Sequence, residues 1–415
     1  MKIGLLHYTY PPIIGGVENI VKLQADSLAK MNHQVVVFSS NILQGRTSLE
    51  NISFVQIPEL ASLKKNFLLY QKIMDSKEYP KEIFIMIEKI LSTIQKHSNL
   101  FDVLIAHNIF SLPFNPAIGE ALLKFASDSP RKKIIAWTHD VILKDREVNP
   151  TVIAYQNKQL NDLVNTYHPQ LHYIAISNYL KKTLTNVLLF PNNKITVVPN
   201  GLNVLSFLNI HPSLHEIVYK NNLLLANPLL YFPAKIMPHK HFEIALTILE
   251  GLKRKKQYNP MLLISAKTYP HKQSAIDYVN NVKKEIDKKG LKNNVIFLEN
   301  IFDNLKIDEI MNVIHDCYSL SDLILYPSSY ENFGLPIIEA GITKTPILCT
   351  DLDVYKEIAY EYIYKLNSLS SPSQIVALVE RILKSTQSRY FRKIKNAFDY
   401  RFIIQTQIEP YLKSL

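Results

Sequence analysis

The chain has 415 residues, enough for two domains of ordinary size, and its 47% hydrophobic against 20% charged residues exclude a disordered protein. Its formal net charge of +11 favours anionic ligands in general, but no motif of the known nucleic-acid modules accompanies it, so no nucleic-acid partner is expected. Two cysteines exclude a disulfide framework, and the short apolar start and lack of any 18-residue uncharged apolar run lead us to expect a cytoplasmic protein.

In chain order, short apolar strands alternate with amphipathic helices, the pattern of a parallel sheet covered on both faces. Strands are predicted at Ile3 to Tyr8, Gln34 to Ser39, Ile52 to Ile57, Val103 to Ala106, Lys133 to Thr138, Ile174 to Ile176 and Thr196 to Val198. Helices are predicted at Val17 to Met31 and Lys81 to His97. Between the first strand and helix lies Tyr10-Pro11-Pro12-Ile13-Ile14-Gly15-Gly16-Val17-Glu18, where a glycine pair lets backbone approach a ligand. His107-Asn108, with Asn115 nearby, and His139-Asp140 follow strand ends, where an open α/β sheet places its ligands.

Strand character fades around Asn203 to Ala226, the expected domain boundary. A second run then begins, with strands at Leu229 to Phe232, Met261 to Ser265, Val295 to Leu298, Leu323 to Tyr326 and Pro346 to Cys349. Helices at Phe242 to Lys256, Ala275 to Gly290, Ile307 to Cys317 and Leu335 to Gly341 separate them, and 389–415 reads as helical. The expected fold is α/β, two Rossmann-like halves in series with a ligand cleft between them.

The most informative stretch is Ser329-Tyr330-Glu331-Asn332-Phe333-Gly334-Leu335-Pro336-Ile337-Ile338-Glu339-Ala340-Gly341. Gly334 permits a tight turn and Pro336 suits a helix start, which puts Glu331 in a loop and Glu339 in the first helical turn. The free backbone N–H groups of that turn can seat a phosphate, although Glu339 alone fits a helix-dipole role equally well. In Tyr231-Phe232-Pro233-Ala234-Lys235-Ile236-Met237-Pro238-His239-Lys240-His241-Phe242, two lysines follow a strand end.

Together these motifs resemble the retaining nucleotide-sugar glycosyltransferases of family 4, which have the GT-B fold, and the resemblance runs along nearly the whole chain. It implies an N-terminal acceptor domain (1–205), a C-terminal donor domain (206–388) and a helical crossover (389–415) onto the first. It further implies donor contacts from Gly15, Gly16, Lys235, Lys240, Glu331, Asn332, Phe333, Gly334, Leu335 and Glu339. The catalytic set would be His139, Lys235, Lys240 and Glu331, with His107, Asn108 and Asn115 as weaker candidates for the acceptor pocket. The family usually has a Gly-Arg pair and then Lys-Gly where this chain has Ala234-Lys235 and Lys240-His241. Lysine keeps the charge but lacks arginine's bidentate fork.

The same resemblance implies a hexosyltransferase using a GDP- or UDP-linked mannose or glucose, with no metal and no cofactor. The Asp351-Leu352-Asp353 pair lies beyond the donor helix and is not expected to bind metal. The runs at 233–240 and 7–12 look closest to bacterial members that include mannosyltransferases acting on small glucosylated glycerate acceptors. Other sugars and lipid-linked glycans remain as acceptors of the same class. Residues 63–72 mix lysines with apolar and aromatic side chains, a composition suited to a peripheral contact at the inner membrane face, though an ordinary amphipathic helix is commoner. The missing glycines leave open a catalytically inactive nucleotide-sugar-binding protein of the same fold.

Overall fold

The structure, a computed structural model, describes residues 1–13, 15–42, 49–144, 150–265, 273–367 and 369–415. Ile14 of the glycine loop is therefore outside the described residues. The chain divides into two units, Met1–Asn203 with Tyr400–Leu415, and Val204–Asp399.

The first unit is built on β1 (Lys2–Leu6), β2 (Gln34–Ser39), β3 (Ile52–Gln56), β4 (Val103–His107) and β5 (Lys133–Thr138). A two-stranded antiparallel pair, β6 (Leu143–Lys144) with β7 (Thr151–Val152), stands apart, and β8 (His172–Ala175) and β9 (Ile195–Val197) complete the main sheet. The order is β3-β2-β1-β4-β5-β8-β9, parallel throughout. Val36 and Phe38 face one apolar layer and Val35 and Val37 the other, because successive strand side chains alternate faces and this sheet is covered on both. On one side the cover is helices Lys81–Lys96 and Pro116–Asp128. On the other it is helix Gly16–Lys30 and the chain's last segment, where Tyr400, Ile403, Ile404, Ile408 and Leu412 pack against the sheet.

The second unit contains β10 (Leu229–Phe232), β11 (Met261–Ile264), β12 (Val295–Phe297), β13 (Leu323–Tyr326), β14 (Ile347–Thr350) and β15 (Tyr364–Leu366). Their order is β12-β11-β10-β13-β14-β15, also all parallel. Both sheets reverse direction of winding beside their first strand, between β1 and β4 and between β10 and β13. A doubly wound sheet leaves a crevice there, beyond the carboxyl ends of those strands.

The sequence placed the second boundary at 388/389, whereas the structure keeps helix Thr386–Phe398 in the second unit. The reason is Lys395, which is buried with its Nζ 3.4 Å from the buried carboxylate of Asp322 and 3.1 Å from the Leu320 carbonyl. A charged pair that deep holds the helix to β13, and the crossing segment begins only at Tyr400, whose N–H donates to the Leu202 carbonyl.

Candidate active site

In the second unit the switch point falls between the loops that follow β10 and β13. Lys240 lies in the short 3₁₀ turn Pro238–Lys240 after β10, and Glu331 in the loop after β13. The two loops are stitched together, since the Ser329 N–H and the Ser328 hydroxyl both donate to the His239 carbonyl, at 2.9 and 3.3 Å. Lys240 Nζ is ion-paired with Glu331 Oε1, and it also lies 5.1 Å from the centroid of the Tyr326 ring. Partial burial pushes the Glu331 carboxyl upward, but hydrogen bonds from Lys240, Tyr326 and Ser328 outweigh that and hold it below the ordinary carboxylate range. Glu331 is thus a fixed anion with one oxygen committed to lysine.

Gly334 turns the chain from this loop into helix Leu335–Ile342 with φ of +111°, and a Cβ there would come within 2.8 Å of the Tyr355 ring. Only glycine suits both demands. Asn332, Phe333 and Leu335 around it are exposed. Pro336 is the second residue of this helix and Glu339 the fifth, so Glu339 stands one turn further in than the sequence suggested, and its carboxylate is not at the helix start. Instead it accepts a 2.6 Å hydrogen bond from the Tyr318 hydroxyl. Lys235 is exposed, with no partner among the described residues. His241 takes the left-handed conformation, φ +48° and ψ +54°, as the residue before helix Phe242–Lys253. A histidine thus occupies the left-handed region that glycine adopts without a steric cost.

In the first unit three histidines gather at the corresponding strand ends. His7 follows β1, His107 ends β4, and His139 follows β5. His107 is 0% exposed, stacked on Trp137, with Nε2 2.9 Å from Gln24 Oε1 and Nδ1 2.9 Å from His139 Nε2. His7 Nδ1 is 3.0 Å from the His107 carbonyl, and its Nε2 is 3.8 Å from Glu18, which also accepts from Thr9 at 2.7 Å. Burial, with the neighbouring His7, pushes His139 down to about 3. Burial with the His139 and His7 rings takes His107 well below its ordinary value, and burial lowers His7 against the opposing pull of the His107 carbonyl and Glu18. All three rings are neutral at ordinary pH.

Three residues assigned to an acceptor pocket are placed otherwise. His107 is enclosed. Asn108, 5% exposed and in the left-handed region, accepts the N–H groups of His139 and Asp140 at 2.7 and 3.2 Å. Asn115, 1% exposed, caps helix Pro116–Asp128 and donates to the carbonyls of Glu59 and Ala61. The polar atoms of the two asparagines are spent on holding backbone and those of His107 on Gln24 and His139, so all three support the site and do not line it. Gly15 precedes helix Gly16–Lys30 in extended backbone and its missing Cβ leaves the space taken by the Glu18 carboxylate, while a Cβ on Gly16 would meet open space.

Glu18, Gln24, Tyr318 and Tyr326 were not singled out from sequence. Glu18 and Gln24 sit on the first helix, where spacing alone reads as an ordinary amphipathic pattern, and Tyr326 reads as a strand-end aromatic. Asp351 accepts from Tyr360 at 3.1 Å and Asp353 pairs with Lys356 at 2.6 Å. Among the described residues no group of three or more His, Cys, Asp or Glu is arranged to hold a metal ion.

Two parallel doubly wound sheets in series, each with polar residues gathered at its switch point, define a sugar-transferase architecture when they carry this glutamate–glycine–glutamate loop. The model of Glycosyltransferase Family 4 matches residues 14–204 and that of Glycosyl transferases group 1 matches 216–398. Between them these matches take in most of the chain, and the protein belongs to glycosyltransferase family 4, with the GT-B domain content. It is similar to the mannosylglucosylglycerate synthase of Petrotoga mobilis, at 26% identity over 90% of this chain and 88% of that one. The Thermotoga maritima protein of the same name is 22% identical over 99% and 95%. The O-antigen chain mannosyltransferase RfbU of Salmonella typhimurium is 27% identical over 57% and 60%. The protein is a glycosyltransferase, and among the described residues no helix is long and apolar enough to cross a membrane.

Proposed function

We propose that the protein transfers a hexose from a nucleotide-diphosphate sugar to an acceptor hydroxyl with retention of configuration. The observation that carries this reading is the Lys240–Glu331 pair set beside the Gly334 turn at the β10/β13 switch point. A carboxylate has about four lone-pair sites, so Glu331 can still take sugar hydroxyls beside the donors it already has, while Lys240 keeps it ionised. Lys235, exposed and without a partner among the described residues, is a cation available to the diphosphate, and the N–H groups at the start of helix Leu335–Ile342 add to it. Glu339, oriented by Tyr318, suits the ribose hydroxyls.

In the reaction the bond from the anomeric carbon to the diphosphate oxygen breaks. A bond to the acceptor oxygen forms on the same face, and the acceptor's proton passes to the leaving phosphate. The lysines would stabilise the charge growing on that phosphate. Two relatives named for mannosylglucosylglycerate synthesis favour mannose as the sugar and a glucosylated glycerate as the acceptor, an anion of the kind a chain of net charge +11 attracts. An inactive binding protein is disfavoured by His241, which keeps the glycine-like path that places Lys240.

The test is incubation of the purified chain with GDP-mannose, GDP-glucose, UDP-glucose or UDP-mannose and glucosylglycerate, with the product anomer read by NMR and a parallel arm in EDTA. An α-linked product formed equally well in EDTA is expected. An inverted product, or no transfer from any of the four donors, would overturn the proposal, and loss on chelation restored by magnesium or manganese would overturn its metal independence.

A further inference from the structure

The polar line through the first unit carries information about where protons sit. Gln24 Oε1 can only accept, so the nitrogen 2.9 Å from it, His107 Nε2, carries the hydrogen. A neutral imidazole has one N–H, which leaves His107 Nδ1 bare. His139 Nε2, 2.9 Å away, must then be the donor. By the same count His139 Nδ1 is left with its lone pair, facing the Asn200 amide nitrogen at a long 3.4 Å. Turning over one end amide alone would break the line, because the hydrogens of the two rings run in one direction, and turning over both would reverse every hydrogen, the outcome that the nitrogen measurement below distinguishes.

We propose that His107 is a positioning residue that holds His139 in the Nε2–H tautomer, so that its Nδ1 lone pair receives a hydroxyl of the bound acceptor. The inference rests on the transferase reading above. His107 is suited to the task because it is rigid: it is enclosed, stacked on Trp137 with ring centroids 5.5 Å apart, and tied at both nitrogens. His139 is suited because it is partly open, and its backbone is fixed by Asn108 Oδ1, so the ring has one orientation to offer. The weak contact to Asn200 is one that a hydroxyl can replace.

The groups facing this line are few. They are His7 at the end of β1, Glu18 and Gln24 on helix Gly16–Lys30, Trp137 in β5, Asp140 beside His139, and Asn200 after β9. The one carboxylate of that helix in reach is turned toward His7 and Thr9, not toward His139. No cation is needed to keep the rings neutral, since closely packed imidazoles in a buried line already disfavour protonation. His139 therefore reads a hydroxyl and does not carry its proton.

The experiment uses the full chain labelled with ¹⁵N-histidine, the His139 signals being identified by their loss in His139→Asn. In the unsubstituted protein the expected result at pH 7 is a single tautomer with the hydrogen on Nε2. A hydrogen on Nδ1, or an averaged mixture, would overturn the proposal without any variant having to fold. His107→Phe keeps a ring on Trp137 and removes both nitrogens. It should release His139 into a tautomer mixture and lower kcat by about tenfold, the worth of one hydrogen bond, with the KM for the nucleotide-sugar little changed and the melting temperature lowered because the buried Gln24 Oε1 loses its partner. Unaltered His139 signals in that variant would sink the idea. If the unsubstituted chain transferred no sugar at all, the functional proposal would fall while the tautomer measurement still decided this one.

Discussion

The two switch points solve different problems with different chemistry. In the first unit two histidines and two amides form an uncharged hydrogen-bonded line, with His107 enclosed, His139 partly open and His7 beside them. In the second, a lysine and a glutamate with side chains 15% and 14% exposed face one another across two loops. A neutral network in low dielectric is rigid and fixes proton positions, because any unpaired member costs about 1 to 3 kcal/mol. A partly solvated ion pair is held less strictly, so it can lend a free oxygen or N–H to a ligand without being dismantled. The first region orients and the second neutralises.

The comparison breaks most sharply at Lys240. Lys240→Ala removes the partner of Glu331 and a positive charge from the donor side, and transfer should fall by about 3 kcal/mol in the barrier, in line with loss of one preorganised group. Because the lysine is the first of the groups that keep the carboxyl low, the acid limb of the pH–rate profile should also move to higher pH. A variant with normal kcat/KM would remove the donor assignment of this pair. Lys235→Ala should also slow transfer, whereas Lys235→Arg should be tolerated because arginine adds the fork that lysine lacks.

Acid separates the two units next. The folded His107 and His139 rings titrate below the unfolded value of about 6.5, so the folded state takes up fewer protons than the unfolded state as the pH drops. The stability they permit is complete above that value and is lost as the pH falls through it, by about 1.4 kcal/mol per pH unit for each ring. Hydrogen exchange at pH 7.5 and 5.5 should show β4 and β5 losing more protection than β10 and β13. Equal losses in the two sheets would mean that the histidine line is not held neutral.

A smaller effect tests how Glu339 is aimed. Tyr318→Phe deletes the hydroxyl that hydrogen-bonds its carboxylate while leaving the ring packed at 5.0 Å from Tyr231. Affinity for the nucleotide diphosphate should weaken by about 1 kcal/mol, less than in Glu339→Ala, where the carboxylate itself is gone. Calorimetric titration distinguishes the two, and an unchanged Tyr318→Phe affinity would mean that the ribose is recognised elsewhere.

Much of this was legible in the sequence, for reasons that differ by residue. Buried parallel strands read as short apolar runs, so Gln34–Ser39, Lys133–Thr138, Leu229–Phe232 and Leu323–Tyr326 stand where the sequence put them. Glu331, Gly334 and Lys240 were legible because a loop motif is local in sequence. What escaped was pairwise. That Lys240 would meet Glu331, 91 residues away, or Gln24 meet His107, 83 away, depends on the order in which strands lie side by side, which no local pattern encodes. Burial hid the rest: the polar residues at 107, 108 and 115 resemble ligand contacts until their partners inside the protein are counted. Helices Pro116–Asp128 and Pro372–Leu383 went unassigned, as did the edge strand β15, three residues long.

The smallest expected effect concerns His241, where the sequence departs from its family at a position the backbone still treats as glycine. Its φ of +48° costs a residue with a Cβ about 1 kcal/mol relative to glycine. The side chain returns part of that through the 3.0 Å contact of Nδ1 with Glu243 at the start of the following helix. His241→Ala keeps the strain and loses the contact, so it should destabilise. His241→Gly loses the contact but removes the strain, and should unfold at a higher denaturant concentration than the alanine variant, by about 1 kcal/mol. Because the turn that carries Lys240 is preserved in both, transfer by the glycine variant should match or exceed the original. An alanine variant as stable as the glycine one would show that this turn relaxes away from the left-handed conformation, and Lys240 would then be placed by its ion pair alone.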